Sequence, residues 1–169
     1  MRHDRRVTED GAAEAVEGLV DAARLWAVKP GGDTEPVIRA ACDALVVGLD
    51  GPNLVSLAST SFGPIDWDFQ DVLKGALAEL GQPFDEPGSA GAQVAAVGAL
   101  ARRVLRGELT PREFASWAHR NIGHQGAPEL QALVDLDDLY DGVEDGWGTG
   151  TLESVDGRVI VQARELARR

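Results

Sequence analysis

The feature that most constrains the fold of this chain is an apolar stripe with the period of an α-helix. Over residues 66–80 the apolar side chains recur at intervals of three and four residues. Residues at this spacing lie on one face of a helix, and that face must be buried. They are Phe69, Val72, Leu73, Ala76, Leu77 and Leu80, and Gly81 follows at a common helix stop position. The stripe therefore predicts an amphipathic helix over residues 66–80.

The most specific local signal marks the start of another helix. Thr110 is a candidate N-cap, Pro111 suits the first helical position, and Glu113 completes a capping box. Leu109 and Phe114 flank this cap and can form a hydrophobic staple across it. These features together predict that a helix begins at Pro111.

Similar start and stop signals divide most of the remaining chain into helices. They predict helices near 8–27, with Thr8 as the N-cap, and near 33–48, 54–58, 89–106 and 129–141. A length of 169 residues is usual for one domain. We predict an all-α, bundle-like single domain of six to eight helices over residues 1–169, with residues 1–7 frayed and Cys42 buried.

The C-terminal segment fits two patterns. Residues 155–159, with Asp156 and Gly157 at the centre, are typical of a β-hairpin turn. The apolar residues Leu152, Val155, Val159, Ala163 and Leu166 also fit one face of a helix. We favour the helix, because every earlier element is helical and an isolated hairpin is only marginally stable.

The charge balance excludes several classes of function. The chain has 16 basic and 28 acidic residues, a formal net charge of −12. Nucleic-acid binding needs clustered basic side chains, and anionic lipid repels an acidic surface, so we predict neither partner.

The single cysteine excludes an internal disulfide, and no signal-peptide-type apolar stretch follows the basic start. We therefore predict a cytosolic protein. Because the sequence has no nucleotide-binding loop, we also predict no cofactor.

The acidic charge is concentrated in the C-terminal third. No Lys or Arg occurs over residues 121–157, and Asp137, Asp141 and Glu144 have the spacing of one helical stripe. This face is either a solvated surface or a docking site that attracts a basic protein by electrostatic steering. Trp147 is either a contact residue of that site or a lid on the core. The predicted partner-binding residues are Asp135, Asp137, Asp138, Asp141, Glu144, Asp145 and Trp147. Trp67 is a second candidate contact.

A metal site is the alternative. His119 and His124, with Asp138 or Asp135, could hold an ion in a small metal-dependent hydrolase. The two histidines are five residues apart, whereas metal ligands on one helix prefer a spacing of three or four. They could instead be a helix-end histidine and a loop histidine without a metal. A calcium loop starting at Asp137 is excluded, because position 3 is Leu139 and position 12 is Gly148.

Two segments carry a resemblance to known proteins. Residues 107–124, GELTPREFASWAHRNIGH, and residues 130–141, LQALVDLDDLYD, resemble uncharacterised small acidic helical proteins of high-GC bacteria. That resemblance implies no activity and no functional residue. In size, charge and helix content the chain is also similar to acidic helical immunity proteins, which neutralise basic nuclease toxins. By analogy, the acidic side chains would take the place of nucleic-acid phosphates on a basic partner.

Overall fold

The computed structural model describes residues 2–60 and 68–168, with side chains from residue 10 onward, and all regular elements in this part are helical. The helices are α1 (Arg2–Val28), α2 (Glu35–Val46), α3 (Pro52–Ala58), α4 (Phe69–Glu79), α5 (Ala90–Leu105), α6 (Pro111–Asn121), α7 (Gln131–Glu144) and α8 (Leu152–Leu166), and a 3-10 turn covers Pro128–Leu130. The all-α prediction is confirmed. Within the described ranges, no helix combines the length and apolar character needed to cross a membrane.

The chain divides into two compact units, an N-terminal unit (Met1–Glu86) and a C-terminal unit (Pro87–Arg169). Each has its own succession of packed helices. The single-domain assignment and the fraying of residues 1–7 stay predictions. Trp67, the second candidate contact, lies outside the described residues.

In the N-terminal unit each helix packs against the next, in the order α1, α2, α3 and α4. Four residues of the predicted stripe are buried, namely Phe69, Leu73, Ala76 and Leu77, while Val72 and Leu80 are half-buried. The ring of Trp26 lies 5.2 Å from that of Phe69. Two local predictions are wrong. Helix α1 begins at Arg2, so Thr8 lies within it and is not its N-cap. Cys42 is exposed, because Ala41 and Ala44 face the core and residue 42 lies to one side of that stripe.

In the C-terminal unit α5 packs against α8, and α7 contacts both α6 and α8. The predicted capping box is present at the start of α6. Thr110 Oγ1 accepts a hydrogen bond from the Glu113 amide at 3.2 Å, and Glu113 Oε2 accepts one from the Thr110 amide at 2.9 Å. The cap fixes where α6 begins and hence which side chains it directs toward α7.

The final segment is the helix α8, so the hairpin alternative for residues 155–159 is wrong. Val155, Val159, Ala163 and Leu166 are buried, as one helical face requires, and Thr151 caps the helix by accepting a hydrogen bond from the Ser154 amide. The burial of these four residues against α5 and α7 outweighs the low helix propensity of Gly157. Leu152 departs from the predicted stripe, since it is 43% exposed.

Candidate functional site

The candidate residues lie where the end of α6 meets the outer face of α7. His119 is in the last turn of α6, and the helix ends at Asn121. Gly123 adopts a left-handed conformation, with φ of 63°, and its amide donates to the carbonyl of Ala118. This conformation favours glycine, and it redirects the chain so that His124 returns beside His119.

The two histidines converge on one carboxylate. His119 Nδ1 lies 3.4 Å from Asp138 Oδ1, and His124 Nε2 lies 3.3 Å from Asp138 Oδ2. The two imidazole rings meet edge to face, with centroids 5.0 Å apart. Asp135 approaches His124 from the other side, at 3.6 Å from its Nδ1. One ligand atom from each of His119, His124 and Asp138 lies within 4.8 Å of the other two. The structure therefore brings together the three residues of the predicted metal alternative.

Asp137 lies behind His119 and is the buried member of the acidic set. Its side chain is 10% exposed, and its Oδ2 lies 3.0 Å from His119 Nδ1. Its Oδ1 is 3.4 Å from Arg112 Nη1, without the geometry of a hydrogen bond to any described residue. Asp137 therefore connects Arg112 to His119 and contributes little to the outer surface.

Arg112 is the counter-charge of the acidic stripe. Its Nη2 lies 2.6 Å from Asp141 Oδ1 and 3.3 Å from Glu144 Oε2. Its guanidinium lies over the ring of Tyr140, 4.7 Å from the centroid. Burial lowers the pKa of Arg112, but the hydrogen bond to Asp141 and the neighbouring charges raise it by more. The three stripe carboxylates do share one face, and a permanent positive charge offsets part of their field.

Tyr140 holds the inner side of α7 in place. Its hydroxyl donates a hydrogen bond to Asp156 of α8. Burial, followed by this hydrogen bond and the Asp156 charge, raises the pKa of Tyr140 well above its usual value. Tyr140 is therefore a neutral donor that ties α7 to α8 at neutral pH.

Trp147 follows the C-terminal end of α7. Its side chain is 72% exposed, so it is not a lid on the core. Part of the ring lies on the backbone of α7, since a Cβ atom added at Gly142 would come within 3.1 Å of it. The amide of Gly148 donates to the carbonyl of Gly142 at 2.7 Å and fixes the returning loop. Trp147 is thus an exposed aromatic in a defined position beside Glu144 and Asp145.

Sequence reasoning missed one feature of this site and disfavoured another by its spacing. Arg112 as the partner of the acidic stripe depends on how α6 packs against α7, which no local pattern specifies. The return of His124 toward His119 had a signal, the helix-stopping Gly123 directly before it.

Comparisons of this chain with protein-family models, with curated proteins and with solved structures gave no match. The functional conclusion therefore rests on the geometry of the site.

Proposed function

We propose that this chain is a non-enzymatic, cytosolic interaction protein that binds a basic protein partner through the acidic side of its C-terminal unit. The partner would be a nuclease-like toxin, and the chain an inhibitor of the immunity or antitoxin type. The observation that carries the proposal is Trp147, an exposed aromatic held against α7 among carboxylates. Tryptophan is enriched among the residues that dominate binding energies at protein interfaces.

The position of Trp147 supports this role, because one edge of its exposed ring rests on the backbone of α7. The contact with Gly142 and the hydrogen bond between Gly148 and Gly142 restrain the ring and its loop. A restrained aromatic pays a smaller entropy cost when a partner covers it.

The charge around Trp147 supports a basic partner. Asp141 and Glu144 are half-exposed and share Arg112, while Asp135, Asp138 and Asp145 are also at the surface. A single guanidinium offsets only one of these charges, so the face keeps a negative field. Such a field accelerates association with a basic surface and weakens as salt is added.

The sequence also predicts a small metal-dependent hydrolase as an alternative. It stays a prediction, because catalysis requires a substrate site beside an ion as well as the ligands themselves. The interaction proposal accounts for the exposed aromatic as well as for the charge.

The test is to identify a basic protein that co-purifies with the chain from its native host, and to measure its affinity for the purified chain at low and high salt. We expect W147A to weaken binding by about 2 kcal/mol or more, as truncation of a central aromatic does. We expect the triple variant D135N/D138N/D145N to slow association and to reduce the dependence on salt.

A matched control is the triple variant E14Q/D43N/D71N, which removes the same number of charges from exposed positions of the N-terminal unit. It should bind as the wild type does. The proposal is wrong if W147A and both triple variants bind the partner as tightly as the wild type does, or if the affinity of the wild type does not change with salt.

A further inference from the structure

We propose that His119, His124 and Asp138 form a binding site for one zinc ion. The observation is the convergence of two imidazoles and one carboxylate, with ligand atoms within 4.8 Å of one another. Two histidines, one carboxylate and one remaining position for water form a recognised type of zinc coordination. This inference shares Asp138 with the partner-binding proposal but does not involve Trp147, so W147A separates the two.

The surroundings of His119 favour metal binding. His119 Nδ1 lies near two carboxylates, 3.0 Å from Asp137 Oδ2 and 3.4 Å from Asp138 Oδ1. When Nδ1–H donates to the buried Asp137, the lone pair of the ring lies on Nε2, which is then the zinc ligand. A carboxylate behind a histidine in this manner orients the ring and makes the nitrogen a stronger ligand. Asp137 is itself held by Arg112 Nη1, at 3.4 Å. Asp137 is thus a positioning residue for His119 and not a ligand.

The geometry requires a small contraction on binding. Two ligands at about 2.0–2.1 Å from zinc are roughly 3.3 Å apart at the tetrahedral angle. The separations in the cluster reach 4.8 Å at most. His124 and Asp138 are about half-exposed, at 47% each, so rotation of their side chains can close the site while the helices stay in place. Asp135, beside His124, is close enough to add negative charge.

The chemistry of the donors selects the class of ion. Imidazole nitrogen suits zinc and its transition-metal neighbours, whereas calcium and magnesium prefer oxygen ligands alone. A site that depends on both histidines will therefore retain zinc in the presence of excess magnesium. A diffuse cluster of carboxylates would not make this distinction.

The experiment is titration of the full-length chain, free of purification tags, with zinc chloride in competition with a chromophoric chelator. We expect one zinc ion per chain in the wild type, retained in a large excess of magnesium chloride. H124A and D138N each remove a ligand and should weaken binding by more than about tenfold, the loss that removal of even a supporting residue commonly causes. Cobalt chloride gives a second readout, since tetrahedral cobalt has intense visible bands that H124A should abolish.

Three controls make the result specific. H3A removes the third histidine of the chain, D145N removes a carboxylate outside the cluster, and W147A removes the proposed partner contact. All three should bind zinc as the wild type does. Circular dichroism will establish that H124A, a change at an exposed residue after the end of α6, is folded.

Several results would overturn the site. They are a wild type that does not bind zinc, an H124A variant that binds it equally well, and displacement of zinc by magnesium at similar concentrations. Failure of W147A to alter partner binding would leave the zinc site standing, so the two proposals can fail separately.

Discussion

The two ends of the outer face of α7 carry similar carboxylates but different counter-charges. Near the C-terminal end, Asp141 and Glu144 contact Arg112, a guanidinium that is charged at every physiological pH. One to two turns earlier, Asp135 and Asp138 contact the imidazoles of His124 and His119. Imidazole can be neutral or charged near neutral pH and can bind a metal, whereas guanidinium can do neither.

This difference gives the two ends different roles: one is structural, and the other can bind and release an ion. The arginine end fixes α6 to α7 and needs no further ligand, while the histidine end presents lone pairs that an ion can use. Asp137 belongs to both ends, since it lies between Arg112 and His119. The identity of the counter-charge, more than the number of carboxylates, therefore determines what each part of the face can do.

Removal of Arg112 should have the largest effect on stability. R112M leaves the nearly buried Asp137 facing Asp141 and Glu144 without their common positive charge. Breaking a buried ion pair costs about 3–5 kcal/mol, and because Arg112 is one-third exposed we expect roughly 2–3 kcal/mol. Urea unfolding followed by circular dichroism measures the loss.

The matched control is R39M, which removes the exposed pair between Arg39 and Glu35 at helical spacing in α2. Pairs of this kind contribute about 0.3–0.5 kcal/mol. If R112M and R39M destabilise the chain equally, Arg112 is an ordinary surface residue and the proposed contrast between the two ends is wrong.

Zinc should stabilise the folded chain through the histidine end and not through the arginine end. At a free zinc concentration one hundred times the dissociation constant, binding to the folded state adds about 2.7 kcal/mol to the free energy of unfolding. We expect the melting temperature of the wild type to rise with zinc and to fall back when a chelator removes it. The melting temperature of R112K, which keeps a positive charge at the other end, should also rise with zinc. A rise of the same size in H124A would contradict this prediction.

The sequence predicted the features that depend on local spacing. The capping box at Thr110 and the common face of Asp137, Asp141 and Glu144 both follow from a few consecutive residues, and both are present in the structure. The apolar stripe over 152–166 also favours a helix, because it repeats at helical intervals and its neighbours are helical, and α8 is present there.

The features that the sequence could not predict depend on contacts between elements. Arg112 reaches Asp141, which is 29 residues away, only because α6 lies against α7. A spacing rule for ligands on one helix disfavoured the pair of histidines, but His124 lies beyond the end of α6 and the rule does not apply to it. The prediction that Cys42 is buried is wrong for a different, local reason, since Ala41 and Ala44 define a face of α2 that does not include it.

Tyr140 gives a third, intermediate effect, because its hydroxyl ties α7 to α8 from the inner side. Y140F removes its hydrogen bond to Asp156, and we expect a loss of about 1–2 kcal/mol, since the acceptor is charged. The pKa of Tyr140 is raised in the folded state, so its contribution is fully present below the unfolded value near 10.0 and is lost as the pH rises further.

Alkaline unfolding measures this contribution. Tyr140 is the only tyrosine, so the absorbance of tyrosinate reports its titration without interference from another tyrosine. We expect the wild type to lose stability above its unfolded pKa more steeply than Y140F does. Parallel curves for the two proteins would show that the hydrogen bond between α7 and α8 does not couple ionisation to folding.

Changes at Trp147 should have the smallest effect on stability and a large effect on partner binding. Because the ring is 72% exposed, W147A should alter the free energy of unfolding by less than about 0.5 kcal/mol.

G142A is the more informative change, since its new methyl group would meet the ring at 3.1–3.2 Å and displace it while leaving Trp147 present. Alanine is a better helix former than glycine by about 1 kcal/mol, so G142A should be at least as stable as the wild type. Weaker partner binding by a variant of equal or greater stability would show that the position of Trp147, and not only its presence, contributes to recognition. Binding unchanged in both W147A and G142A would limit the partner surface to the carboxylates.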